Sequence, residues 1–184
     1  MTDTSHKAAS QTLREIASWQ PGRGSADSDL LPELSTMVAR SRDLSRNHGI
    51  ASGAMQTLTD NIVGTGFRLS AKPDYKLLGK TKDWEEEWQA KVEGLWRSWS
   101  ETFMCDVAQS LNFHGLTTQV FKSCLINGEA LALALWLPER PVATTIQLIE
   151  PDRLSNPNNS TDSKNLRGGV EIDRFGAPIA YHIL

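Results

Sequence analysis

Read from its amino terminus, the chain has few hydrophobic positions before Leu31 and then falls into a helical rhythm. Leu34, Val38, Ser41 and Leu44 share one face, so the spacing predicts a helix from about Leu31 that ends near Asn47 and Gly49. Arg40, Arg42 and Arg46 cluster at its carboxyl end, where positive charge suits the helix dipole. Residues 50–63 predict a second helix with Ala51, Met55, Leu58 and Ile62 on one side and Gly64 as a left-handed stop. Phe67 and Leu69 then alternate with polar neighbours up to Pro73, the pattern of a strand.

Residues 83–103 give the clearest helix. Asp83 and Glu86 have capping-box spacing, and Glu85, Glu86 and Glu87 favour the positive end of the dipole. Trp84, Trp88, Leu95, Trp96 and Trp99 form an aromatic stripe, which is expected to pack on the core, since a base-stacking surface needs a basic groove beside it. Ser110 or Asn112 can cap a further helix through Phe113, Leu116, Val120, Phe121 and Cys124, closed by Asn127 and Gly128. Leu131, Leu133 and Leu135 alternate with alanines as in a largely buried strand, and residues 144–149 form another strand ending at Pro151. Residues 155–165 read as a polar surface excursion. Val170 and Ile172, a turn over residues 174–178, then Ile179, Tyr181 and Ile183 make a β-hairpin whose second strand reaches the last residue. That open edge leads us to expect a piece of a longer protein.

Helices come first and strands collect later, which predicts an α+β fold with helices packed on a mainly antiparallel sheet. Residues 1–29, rich in Ser, Thr, Asp, Gly and Gln, are expected to form a mostly disordered arm with a short apolar patch at Leu13, Ile16 and Trp19; residues 30–184 are expected to form the folded domain. A length of 184 residues suits one such domain. No apolar run approaches the ~18 residues that would cross a bilayer, and no signal peptide is visible. A net charge of −3 argues against a clamp that binds DNA by releasing counterions.

Candidate chemistry is sparse. Cys105 or Cys124 with His114 could be a thiol nucleophile with its base, as in a small cytoplasmic hydrolase. On one helix, however, His114 and Cys124 would lie about 15 Å apart, too far for proton transfer. Gly64 and Gly66 suggest a phosphate loop, but here a helix precedes and a strand follows, the reverse of the P-loop order. Glu129, Glu150 and Asp152 sit near strand ends without the His or paired-Asp pattern of a metal site. No cofactor or metal is expected. The phosphate-facing feature with most substance is Arg40, Arg42 and Arg46, whose simpler reading is a solvated helix face; a DNA-binding adaptor is the reading that would use it.

The run ARSRDLSRNHGIASGAMQTLTDNIVGTGFRLSAKPD resembles the amino-terminal signature of lambda-like bacteriophage portal proteins. WEEEW with LWRSWSE, Cys105 with Asp106, NGEAL, QLIEPDRLSNP and GGVEIDRFGAPIAYHIL follow in the same order, so the resemblance covers residues 10–184. It implies a structural role, not catalysis, for Asn61, Gly64, Gly66, Gly128, Glu129, Glu150, Pro151, Asp152, Arg153, Gly169, Asp173, Gly176, Pro178 and Tyr181, and makes Arg40, Arg42 and Arg46 candidate contacts to DNA or to a neighbouring subunit. It further implies an arm and outer wing, with stem, clip and channel segments beyond residue 184. The complete protein would be a dodecameric ring at a capsid vertex, a virion component assembled in the host cytoplasm. Its partners would be terminase, major capsid or scaffold proteins, head-completion proteins and the double-stranded DNA that passes through the ring, with no membrane involved.

Overall fold

The computed structural model describes residues 8, 10 and 12–184. The chain divides into one unit that ends at Leu34 and another comprising Ser35–Leu184. In the first, residues 14–18 make a turn closed by the Ala17 amide on the Leu13 carbonyl, and Trp19 stays 70% exposed. Of the predicted arm, residues 1–7, 9 and 11 lie outside the described residues. Helix α1 spans Ala26–Asn47 and so begins earlier than the hydrophobic rhythm predicts. The Ser25 hydroxyl accepts the Ser28 amide there, and Asp27 and Asp29 occupy the first turn, so polar residues start the helix before its apolar face begins.

The fold is α+β. His48 alone separates α1 from α2 (Gly49–Ile62), and α3 (Lys82–Ser100) and α4 (Phe113–Asn127) complete the helices. Strands β1 (Leu131–Trp136) and β2 (Thr144–Ile149) pair antiparallel with Leu131 opposite Ile149. Strands β3 (Leu166–Arg167), β4 (Val170–Ile172) and β5 (Pro178–Tyr181) form a second antiparallel sheet in that order. Helix α4 obeys its sequence closely: Asn112 accepts the Gly115 amide as N-cap, and Gly128, at φ 83°, ends the helix in the left-handed conformation.

Several local expectations are overturned. Residues 67–69 belong to no strand; the segment is tethered instead by the Ala71 amide, which donates to the Glu93 carboxylate on α3 at 3.1 Å. Thr81, not Asp83, caps α3 by accepting the Trp84 amide. On α2 the covered line is Ala51, Met55, Thr59 and Val63, while Leu58 and Ile62 face outward; the buried Thr59 satisfies its hydroxyl on the Met55 carbonyl. On β1 the alternation of Leu and Ala does not signal burial, since Leu133 and Trp136 are exposed.

The aromatic stripe of α3 divides in the same way. Trp96 and Trp99 meet Phe113 of α4 with ring centroids 5.0 and 5.5 Å away, and Trp99 Nε1 donates to the Thr144 carbonyl at 2.8 Å. Trp84 stacks on Trp88, but Trp88 and Leu95 remain exposed. Successive helical residues turn by about 100°, so the covered line through Trp96, Ser100 and Glu93 is centred about a third of a turn from Trp88 and Leu95. Apolar pattern and buried face therefore do not coincide.

The final hairpin forms around Asp173, whose carboxylate accepts the Phe175 and Ala177 amides, and Gly176 takes φ 86°. Its second strand does not continue as an open edge to the last residue. Beyond Tyr181, Ile183 pairs with Leu154, the Ser155 amide donates to the His182 carbonyl, and Leu184 donates to Arg153.

Candidate functional site

Three segments far apart in sequence meet at one corner of the larger unit. Arg42, on the last turns of α1, donates from both terminal nitrogens to the two Asp152 carboxylate oxygens at 2.6 and 2.8 Å. Its Nε donates to the Asn127 side-chain oxygen at 2.8 Å. Asn127 in turn donates to the Ser123 hydroxyl, which donates to the Glu129 carbonyl. The node thus links α1, the carboxyl end of α4, the approach to β1 and the turn that leaves β2. A planar guanidinium suits this work because it makes paired bonds in a fixed fork.

The physical setting follows from the residues around it. Pro151 is buried at the start of a short 3-10 turn, Pro151–Arg153, and fixes the direction in which Asp152 projects. Arg42's hydrogen bonds hold the Asp152 carboxyl below the usual carboxylate range, outweighing its partial desolvation. Beside the node lies a groove of about 380 Å³ lined by Val120, Ala130, Leu131, Leu148, Ile149 and Pro151 together with the polar Gln119, Lys122, Ser123, Asn127 and Glu150. Arg40 and Arg46 are exposed, and Arg46 Nε donates to the Arg42 carbonyl.

A second node surrounds Asp106. Its buried carboxylate accepts the amides of Ala108, Ser110 and Leu111 and the Ser110 hydroxyl, all within 3.1 Å. Burial pushes this acid up, but the bonds from Ser110, Ala108 and Leu111 outweigh it and the net shift is downward. Arg140 clamps the same loop through the Asp106 and Val107 carbonyls. The pattern was readable only in part, because neither Asp106 nor Arg140 belongs to a charge cluster.

A third node sits in the segment expected to be surface loop. Asn156 is buried; it donates to Asp162 and the Ser160 carbonyl and accepts the Gly169 amide at 2.7 Å. The Gly168 amide, then Asn156, hold the Asp162 carboxyl below its ordinary value. Gly169 takes φ 82°, and a Cβ there would lie 2.6 Å from the Ser155 nitrogen.

The other residues singled out from the sequence serve turns and packing. Asn61 donates to the Thr57 carbonyl, and Gly64 and Gly66 take φ 54° and 93° on leaving α2. Gly66 lies against His114, where a Cβ would come within 3.0 Å of Nδ1. Glu150 precedes the Pro151 turn, Arg153 Nε donates to the Leu184 carbonyl, and Pro178 and Tyr181 bound β5. Cys105 is fully buried, with its thiol directed at the Thr102 and Leu111 carbonyls, and burial pushes its pKa up, away from the reactive thiolate; Cys124 is exposed. Among the described residues no group of three or more His, Cys, Asp or Glu could hold a metal, and no helix is long and apolar enough to cross a membrane.

These nodes join backbone segments to one another; they define a structural module. Comparison with known proteins agrees. The family described as phage portal protein, lambda family, matches residues 12–184. Portal protein B of Escherichia phage lambda is 35% identical over 173 residues, covering 92% of this chain and 32% of the relative. The portal protein of Escherichia phage N15 is also 35% identical, with 92% and 33% covered. A probable portal protein of Halomonas phage phiHAP-1 is 26% identical over 184 residues, with 98% and 35% covered. The chain belongs to the lambda family of phage portal proteins and spans about a third of the length of these curated relatives.

Proposed function

We propose that this chain forms the arm and outer wing of a portal subunit, with residues 1–29 as the arm and 30–184 as the wing. The carrying observation is the family match across residues 12–184. In this reading the complete subunit joins a closed ring, a dodecamer, at one capsid vertex. Double-stranded DNA passes through that ring, and terminase, major capsid or scaffold proteins and head-completion proteins dock on it. The protein is then a virion component, assembled in the host cytoplasm, and its role is structural.

The physical chemistry supports that role. A net charge of −3 suits a protein past which DNA must slide, since many phosphate contacts would hold it. Heterologous contacts that close by rotation require large complementary surfaces, and Met37, Leu44, Trp88, Leu95, Leu133 and Trp136 supply exposed apolar area on three elements, α1, α3 and β1. Arg40 and Arg46 are the helix cations we assign to DNA or subunit contact, because Arg42 is engaged internally. A cysteine hydrolase is disfavoured by the burial and raised pKa of Cys105.

The test is genetic and direct. A stop codon placed early in this gene, in the phage or prophage that carries it, should yield heads without packaged DNA, and supplying the gene in trans should restore filled heads. Filled, infectious particles made without the gene product would overturn the proposal.

A further inference from the structure

Helix α1 is held to its unit in an unusual way. None of its residues is buried, although it is 22 residues long. Over the half that belongs to the larger unit, Val38, Ser41 and Ser45 are only half-covered, and Met37 and Leu44 are each 50% exposed. Apolar burial is what ordinarily fixes a helix on its neighbour, and it is thin here. Against this stands one side chain with three hydrogen bonds, the Arg42 fork on Asp152 and Asn127.

We propose that Arg42 is a latch: its guanidinium decides whether the carboxyl-terminal half of α1, residues 35–47, lies docked on the Asn127–Asp152 corner or swings free while the rest of the unit stays folded. The inference does not depend on the portal reading. Two further observations place the switch at this residue. Both partners of Arg42 sit on rigid ends, Asn127 at a helix terminus closed by Gly128 in the left-handed conformation and Asp152 on the buried Pro151 turn, so neither follows the helix when it leaves. The corner also borders the 380 Å³ groove, which is lined by residues of α4, β1, β2 and the Pro151 turn and by no side chain of α1. Undocking therefore removes no wall of that groove. Docked and free forms differ mainly by one ion pair and its neighbouring amide bond, the small difference a two-state element requires.

Arginine is the residue for this task, because a lysine keeps the charge but cannot engage Asp152 through two parallel bonds and Asn127 through a third. With the Asp152 side chain 55% exposed, salt reaches the pair and weakens it. High ionic strength thus favours the free form.

Amide hydrogen exchange on the intact chain tests the latch, with α4 amides as the internal reference for folding. Arg42→Ala and Asp152→Asn should each speed exchange of residues 38–47 by about tenfold while α4 is unchanged, with Arg42→Lys between them and wild type. The exchanged pair Arg42→Asp with Asp152→Arg should recover part of the protection, and 1 M salt should mimic the single substitutions. Unchanged α1 exchange in Arg42→Ala would overturn the latch. So would equal acceleration of α1 and α4, which would make Arg42 an ordinary contributor to global stability.

Discussion

Arg42 and Asp152, 110 residues apart in the chain, face each other with both terminal guanidinium nitrogens on both carboxylate oxygens at 2.6 and 2.8 Å. That pairing gives the RSRDLSRN and EPDR segments a shared physical purpose. Asn127 of the NGEAL segment completes it through Nε. Motifs that look independent in sequence are the sides of one corner.

Replacing Asp106 separates hydrogen bonding from charge. Asp106→Ala removes the acceptor of three backbone amides and one hydroxyl and should cost about 3 kcal/mol. Asp106→Asn can keep its oxygen toward Ser110 and Leu111 and lose mainly the Ala108 bond, so it should cost roughly half as much. Urea denaturation of both variants checks the order, and an Asn variant as damaged as the Ala variant would contradict it.

The same acids set the response to pH. Asp106, Asp152 and Asp162 all have folded pKa values below the unfolded value of about 3.9, so the unfolded chain binds protons first as pH falls. Their stabilisation is complete well above pH 4 and is lost as pH drops through the lower folded values. Thermal midpoints should therefore be nearly flat from neutral pH down to about pH 5 and fall steeply below about pH 4. In Asp106→Asn that acid limb should be shallower than in wild type.

Two glycines with nearly equal φ should behave differently. Gly176, at φ 86°, has open space where a Cβ would go, so Gly176→Ala should cost about 1 kcal/mol from conformation alone. Gly169, at φ 82°, has the Ser155 nitrogen 2.6 Å from the same point, so Gly169→Ala adds a clash with backbone and should exceed about 3 kcal/mol. Equal losses in chemical denaturation would mean that residues 154–169 do not pack as described.

The tryptophans of α3 offer a contrast within one helix. Trp96 packs on Trp99 and Phe113 but is only half-covered, so Trp96→Ala should cost about 2 kcal/mol, below the ~3–5 kcal/mol of a fully buried ring. Trp88→Ala should cost less than about 1 kcal/mol, because 38% of Trp88 is exposed and its ring contact is with Trp84 on the same helix. Thermal unfolding of the two variants decides, and a larger loss at Trp88 would contradict the placement.

How far the sequence could be read depends on the kind of signal. Local chemistry was legible: Asn112 and Gly128 bound α4 as their types require, and Asp173 with Gly176 builds the last hairpin turn. The α+β order also followed from hydrophobic rhythm. What the rhythm could not supply was the buried direction. On α2 and α3 part of the apolar set, Leu58 and Ile62 or Trp88 and Leu95, is exposed, while the polar Thr59 and Ser100 are buried. Amphipathic patterns report every surface a helix will cover, including those covered by other molecules. The nodes were hidden for a different reason: Arg42 with Asp152 and Asn156 with Gly169 are contacts across long sequence separation, and neither partner looks unusual alone.

The central claim is that Arg42 is an internal tie and not a cation reserved for DNA, and nuclear magnetic resonance of arginine side chains tests it most directly. A guanidinium held on Asp152 and Asn127 should give resolved, slowly rotating terminal nitrogen signals for Arg42, which collapse in Asp152→Asn, while exposed Arg40 averages rapidly in both proteins. An Arg42 signal that averages like that of Arg40 in the unmodified chain would contradict the claim.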